Sequence, residues 1–387
     1  MRKRGSSSFS LSSYDFRDWA HLPPEVVELI SERVKSITDY IRFRAVCCPW
    51  RSASLPKPRH LPPQLPWIMP PLFWAPLSGV SFDDVWEAKN RTFHLPGTEG
   101  GVTNCACYRG WLLFTEYSGM EVLLINPLTR ARILLPPFAA PVRHLGDDSG
   151  VPSDNSLFNY SRNIWHSFSG SKMTFSTDLT DPNCLITLLI ASWTTSWVIC
   201  CRVGDPYWTR VDCCLSHVSR YSDVTYYNGR FFFLSEYRES MSIIDSTNSE
   251  ERIVPVPGLR GVRKHFVEGM SGVYVLAICR EEKFELYQFL ELPMKFEQIT
   301  DTSNGTAIFY GDDYPCLAVC TDDWGSLDRV FTPMEHKWVL YAWKCTVGSH
   351  YSIYSAQRDM ESSEVRVPGG EPRYLAGNIR WFQPSLI

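Results

Sequence analysis

Hydrophobic positions change their spacing once along this chain, and the change divides it in two. Between Trp19 and Ser54 they follow a helical period: Val26, Ile30 and Val34 stand four apart, with Val27 and Leu29 beside them. That spacing predicts one apolar stripe on a helix opened by Pro23-Pro24-Glu25, where proline sits in the first turn and needs no amide hydrogen. Ser36 or Thr38 is placed to cap a second helix, with Asp39 favourable in its first turn and Tyr40, Ile41, Ala45 and Val46 as its apolar face. Pro49 suits the first position of a third helix leading into Trp50-Arg51. Three helices in so short a stretch bury too little surface to be stable alone, so the unit needs a neighbour, either the rest of the chain or another protein.

The stretch from Pro56 to Pro76, PKPRHLPPQLPWIMPPLFWAP, is dense in proline and favours extended, semi-rigid chain over helix. From residue 77 to 387 the apolar residues stand in short β-rich runs separated by Gly, Pro, Asn and Asp. Trp111–Phe114, Val122–Ile125, Phe231–Leu234, Val273–Leu276 and Trp338–Tyr341 are examples. Such runs predict a mainly β domain: a sandwich, a barrel or a propeller. An internal repeat favours the propeller. RGWLLFTEYSGMEVLLINPLTRARILLPP from Arg109 aligns with NGRFFFLSEYRESMSIIDSTNSEERIVPVP from Asn228, with Gly110 on Gly229, Asn126 on Asp245 and Pro136 on Pro255. The offset is several hairpins long and so spans more than one blade; at roughly forty residues per blade, six or seven fit. Cys184 to Val203 is apolar and long, but Thr194-Thr195-Ser196 breaks it, and two buried strands explain it better than a membrane span.

Composition narrows the function classes. A net charge of -4 in 387 residues gives no electrostatic reason to expect nucleic acid or a membrane surface as partner. The opening MRKRGSSSFSLSS has no apolar core behind its charges, so residues 1–17 are expected to be a disordered tail without a secretory signal. The 13 Cys include no C-x-x-C pair, and in a reducing compartment they read as small buried apolar residues. The 9 His show no metal-binding spacing, and no nucleophile elbow, phosphate loop or dinucleotide fingerprint occurs. The acidic doublets Asp83-Asp84, Asp147-Asp148, Asp312-Asp313 and Asp322-Asp323 read as turn residues, since neighbouring side chains of a strand point to opposite faces. The polar insertion from Ala139 to Ile164 reads as an exposed loop. No catalytic residue, cofactor or metal is expected.

Residue identities add a resemblance. Leu22-Pro23-x-Glu25, Ile30 and Phe43-Arg44-x-Val46-Cys47-x-x-Trp50-Arg51 resemble the F-box, by which receptor subunits of cullin-based ubiquitin ligases hold a Skp1-type adaptor. The resemblance implies adaptor contacts at Leu22, Pro23, Ile30, Ile41, Val46, Cys47, Trp50 and Arg51. Further on, the chain is similar to plant F-box proteins with a C-terminal propeller of the KIB type. The carrying residues are Gly110-Trp111-Leu112, Asn126-Pro127-Leu128-Thr129, Leu135-Pro136-Pro137 and Arg202-x-Gly204-Asp205-x-x-Trp208. Asp223-Val224-x-x-Tyr227-Asn228-Gly229-Arg230-Phe231, Thr321-Asp322-Asp323 and Trp381-Phe382-x-Pro384-Ser385 complete the set, and the last is expected to lie beside the first strand after the linker and close the ring.

The expected organisation is a tail (1–17), an F-box (18–55), a proline-rich linker (56–76) and a β-propeller (77–387). The implied function is that of a substrate receptor in a Skp1–cullin–F-box ligase, working in the cytoplasm, the nucleus or both. Its partners would be the adaptor, through it a cullin and a RING subunit, and an unidentified target. Two alternatives stay open: an F-box propeller that binds without forming a productive ligase, and an enzyme active in the propeller.

Overall fold

In the computed structural model the helical period of the first stretch becomes three short helices, α1 (Pro24–Ser31), α2 (Ile37–Arg44) and α3 (Cys48–Ser52), preceded by a single 3-10 turn at Trp19–His21. The structure describes residues 19–56, 58, 60–61, 64–69, 79–84, 89–95, 102–116, 121–145, 171–191, 196–211, 221–235, 238–246, 250–256, 263–278, 284–299, 306–311, 314–320, 338–343, 350–355, 363–366 and 380–386. The chain divides into two compact units, Met1–Leu61 and Pro62–Ile387. The expected tail, Asp147-Asp148, Asp312-Asp313, Asp322-Asp323 and most of the Ala139–Ile164 insertion lie outside the described residues.

In the helical unit Pro24 takes the first position of α1, as its fixed φ and missing amide favour. Ser36 occupies the N-cap of α2, but its hydroxyl meets that of Thr38 at 2.8 Å and caps no amide. Pro49 falls at the second position of α3 rather than the first, because Cys48 already has helical geometry. The core consists of Val27, Ser31, Ile37, Thr38, Tyr40 and Phe43. This corrects the phase read from sequence for α1: Val27 is the buried valine, whereas Val26 is 39% and Leu29 57% exposed. PEVVELIS carries apolar residues on more than one face, and a unit this small covers only one of them.

The second unit is built of strands. The proline-rich stretch contributes the first of them, β1 (Trp67–Met69), which is followed by β2 (Gly79–Asp84) and β3 (Lys89–His94). The second sheet is a four-stranded antiparallel meander of β4 (Val102–Tyr108), β5 (Trp111–Glu116), β6 (Val122–Ile125) and β7 (Arg132–Leu135). The third contains β8 (Val142–His144), β9 (Lys172–Phe175), β10 (Leu185–Ala191), β11 (Ser196–Arg202) and β12 (Trp208–Arg210), in the order β8-β12-β11-β10-β9. A second meander follows, of β13 (Tyr221–Tyr227), β14 (Arg230–Ser235), β15 (Ser240–Asp245) and β16 (Glu251–Pro255).

The last and largest sheet opens with β17 (Arg263–Glu268), β18 (Val273–Ile278), β19 (Phe284–Leu290) and β20 (Lys295–Ile299). It continues through β21 (Thr306–Gly311), β22 (Tyr314–Cys320), β23 (Trp338–Trp343), β24 (His350–Ser355) and β25 (Ser363–Arg366). Parallel pairings of β17 with β22 and of β21 with β23 join its parts. Finally β26 (Arg380–Phe382) returns to pair antiparallel with β1, Trp67 opposite Phe382. β4, β13 and β17, each the first strand of its sheet, and β9, the edge strand of the third sheet, lie side by side, so their sheets fan out from one line in the manner of propeller blades.

Each apolar run named from sequence lies on a strand, and the two repeated segments are the last three strands of the two meanders, β5–β7 and β14–β16, with β8–β12 between the meanders. Both meanders open on a two-residue hairpin turn with positive φ at both positions: Arg109 (43°) and Gly110 (81°), then Asn228 (52°) and Gly229 (80°). Such turns match the right-handed twist of the flanking strands. The apolar stretch Cys184 to Val203 is the antiparallel pair β10–β11, and no described helix is long and apolar enough to cross a membrane. Two loop assignments are corrected. Val142–His144, within the polar insertion, is a strand running parallel to β12, with Val142 buried. Asp84 ends β2 and is buried in an ion pair with Arg91 at 2.7 Å, so it is not a turn residue.

Motifs distant in sequence interlock here. Trp208 is fully buried, donates its indole N–H to the Pro136 carbonyl at 2.7 Å and stacks on Phe138 at 5.6 Å, tying the β8–β12 sheet to the end of β7. Asn126 accepts the amides of Leu128 and Thr129 and donates to the Ser385 carbonyl at 2.9 Å. A Cβ on Gly110 would stand 2.7 Å from the Ser385 side chain, whereas at Gly229 it would meet nothing. Gly110→Ala is therefore expected to lose about 1–2 kcal/mol from its left-handed backbone plus about 1–3 kcal/mol from the clash, and Gly229→Ala only the former. Parallel thermal melts of the two variants check this; equal losses would remove the C-terminal segment as the cause.

Candidate functional site

Every one of the eight residues carried over from the F-box pattern reaches the surface of the helical unit. Leu22 is half-buried ahead of α1, and Pro23 is its exposed N-cap. Ile30 on α1 and Ile41 on α2 are half-buried. Val46, in the turn between α2 and α3, is 59% exposed. Cys47 is the half-buried N-cap of α3, Trp50 is half-buried on that helix and Arg51 exposed. The fully buried residues of the unit are a separate set on the inner faces of the same helices.

The surface is held in shape by a few specific contacts. The Trp50 ring packs on Phe43 with centroids 4.6 Å apart, and its indole N–H donates to the Trp19 carbonyl at 2.9 Å. Arg51 Nε donates to the Arg44 carbonyl at 3.2 Å, fixing α3 against the end of α2. Tyr40 is fully buried and donates its hydroxyl to the Leu55 carbonyl at 2.8 Å. Burial pushes that phenol above its ordinary value, so it stays a donor. Trp50 thus has one part in the fold and another at the surface.

Sequence reasoning missed further members. Val26 and Leu29 extend the outward face of Ile30 at the i, i+3, i+4 spacing of one helical stripe, and Trp19 (58%) and Leu55 (59%) are exposed apolar residues of the same unit. The signal was in the sequence as a second apolar phase on α1, but spacing alone does not say which phase turns inward. So many exposed large apolar residues on so few helices mark a surface made to be covered.

The β-unit offers a different chemistry. Lys172, Asp223, His265 and Glu268 are all buried, on β9, β13 and β17. Asp223 accepts the amides of Val224 at 2.8 Å and of Phe266 on the neighbouring first strand at 2.9 Å, with Lys172 Nζ 3.8 Å away. Its carboxylate thus supplies a partner to an amide across a seam between sheets. Among the described cysteines, Cys107, Cys184, Cys200 and Cys201 are buried thiols, and burial pushes Cys200 up to about 12, so that thiol stays protonated. Among the described residues no group of three or more His, Cys, Asp or Glu stands close enough to hold a metal ion.

A small helical module with exposed apolar side chains, followed by a bladed β-domain, defines a two-part protein. The model of the KIB1-4 beta-propeller matches residues 80–332, and the chain belongs to that family as a plant F-box protein with a KIB-type propeller. F-box protein SKIP23 of Arabidopsis thaliana is 23% identical, across 79% of this chain and 81% of its own length. F-box protein At2g26160 of the same plant is 29% identical across 29% of this chain, which spans only 30% of that relative. Among solved structures, TolB from Acinetobacter baumannii superposes with a TM-score of 0.43 at 10% identity, covering 82% of this chain and 66% of TolB, a likeness too loose to build on.

Proposed function

We propose that this chain is the substrate-receptor subunit of a Skp1–cullin–F-box ubiquitin ligase. The helical unit docks on a Skp1-type adaptor, which brings in a cullin and a RING subunit, and the propeller holds a target protein. The observation that carries this reading is the separation of roles in the helical unit. The eight residues of the F-box pattern all lie at the surface, while Val27, Ile37, Tyr40 and Phe43 make the core. Apolar anchors around a tryptophan are the residue types that dominate interface energetics.

The chemistry of the ligase on this reading is proximity. The receptor raises the effective concentration of a target lysine near a ubiquitin-loaded enzyme held elsewhere, and this chain contributes no nucleophile, base or metal. Its place of work is the cytoplasm, the nucleus or both. The test is reconstitution: the full chain, co-expressed with a Skp1-type adaptor and a cullin, is expected to co-purify with both. Failure to capture the adaptor sinks the reading. Capture of adaptor and cullin, without ubiquitin transfer to any protein the propeller holds, would make the chain a binding protein outside a productive ligase.

A further inference from the structure

Where β9, β13 and β17 meet, Lys172, Asp223 and His265 are packed together, and Glu268 is buried farther along β17. Lys172 Nζ lies 3.4 Å from His265 Nδ1 and 3.8 Å from Asp223 Oδ2, and His265 Nδ1 is itself 3.8 Å from that carboxylate oxygen. In this arrangement the ammonium donates to Nδ1, which requires a neutral imidazole at that nitrogen. Glu268, three residues along β17, is 8% exposed, and its Oε2 has no hydrogen-bond partner among the described residues. Burial acts most strongly on its carboxyl; Arg109, from the β4–β5 turn, favours the charge, Asp223 opposes it and Lys172 assists.

We propose that Lys172, Asp223, His265 and Glu268 form a proton-sensitive latch across the seam between β9, β13 and β17. The argument is steric and electrostatic. A proton added to His265 Nδ1 would point at the Lys172 ammonium 3.4 Å away, and Arg263 adds to that repulsion. A charge on Glu268 would leave a buried oxygen without a donor among the described residues, and the Asp223 carboxylate would oppose it. Lys264, also buried, is turned aside to the carbonyls of Ser235 and Arg238, and Tyr108 brings a buried phenol kept protonated by its surroundings. The latch therefore holds with His265 neutral and Glu268 protonated, and the seam loosens when either state changes.

The two groups act on opposite sides of the pH scale. Burial holds His265 well below its ordinary 6.5, so below that value the unfolded chain takes up a proton that the folded chain refuses, and stability falls as pH falls. Burial holds Glu268 well above 4.5, so as pH rises past that value the unfolded chain releases a proton that the folded chain keeps. Stability therefore falls as pH rises, until Glu268 ionises in the fold as well. Below 6.5 the two slopes oppose each other, and of the two only that of Glu268 acts above 6.5; burial also pushes the Asp223 carboxyl up, which adds a slope of the same sign as that of Glu268.

The experiment is a set of thermal melts of the purified full chain across this range and into alkaline pH, with hydrogen exchange read on β9, β13 and β17. Glu268→Gln keeps the shape and cannot ionise. Relative to wild type it is expected to raise Tm above neutrality by about 3 °C or more and to abolish any loss of protection in these three strands, measured against the unfolded-chain exchange rate at each pH. His265→Gln, an independent variant, is expected to remove the corresponding loss on the acid side. Wild-type and variant profiles that run parallel across the whole range would overturn the proposal. The outcome does not depend on whether an adaptor is captured, so this inference and the ligase reading fail separately.

Discussion

Val46→Arg is expected to abolish adaptor capture and leave the chain's melting unchanged. Val46 is 59% exposed in the turn between α2 and α3, and its contact with the rest of the unit is a backbone bond from its amide to the Phe43 carbonyl at 3.3 Å. A long polar side chain there displaces nothing, so the stability change is expected within about 0.5 kcal/mol. In a complex the same side chain would bring a charge into an apolar contact. Loss of such an anchor typically costs about 2 kcal/mol or more, a fall in affinity of some thirtyfold.

Trp50→Ala is a poorer probe, because it also removes the packing on Phe43 and the bond to Trp19 and so confuses docking with folding. Phe43→Ala makes the useful contrast: it should lose capture by unfolding the unit, visible as a lost helical signal. Titration calorimetry of Val46→Arg against a Skp1-type adaptor is the direct measurement, and binding at wild-type strength would contradict the docking surface.

Asp223→Ala carries the largest expected effect on the β-unit. It takes the acceptor from two buried amides, Val224 and Phe266, and leaves the Lys172 ammonium buried with no carboxylate beside it but that of Glu268, whose protonated form carries no charge. Breaking one partner of a buried pair typically costs about 3–5 kcal/mol, which for a unit of this size is a fall in Tm of about 10 °C. Removing both charges should hurt less than the sum: Lys172→Met added to Asp223→Ala is expected to recover part of the loss, since methionine needs no counter-charge. Additive losses in that double-mutant cycle would show that Lys172 and Asp223 do not act as a pair.

The elements were legible in the sequence wherever burial dictated them. Runs such as Phe231–Leu234 form strands because they are buried, and the Gly110 and Gly229 repeats are visible because only particular residues tolerate positive φ in a two-residue turn. The site residues were legible as identities but not as a surface. On α1 the apolar residues occupy two phases, and only packing decides that Val27 turns in while Val26 and Leu29 turn out. The cluster at the seam was not legible as a cluster, although Asp223 belongs to one of the motifs that carry the resemblance. Lys172, Asp223, His265 and Glu268 lie on three separate strands, and each, taken alone, reads as an ordinary polar surface position. Likewise Val142–His144 carries too few apolar residues to announce a strand; its partner β12 lies far along the chain.

The pairing of β26 with β1 sets a timetable for synthesis. β1 has β2 on one side soon after it leaves the ribosome, but its other edge stays bare until Arg380–Phe382 has been made. At about 5–20 residues per second that is a wait of roughly tens of seconds. During it Trp67 and Phe82 lack the Phe382 ring that later packs 4.3 Å from Phe82. The helical unit has by then long been outside, free to meet a partner while the β-unit is unfinished. A nascent chain stalled anywhere before Phe382 would thus expose an unclosed strand edge, which is the form a quality-control chaperone would have most reason to hold.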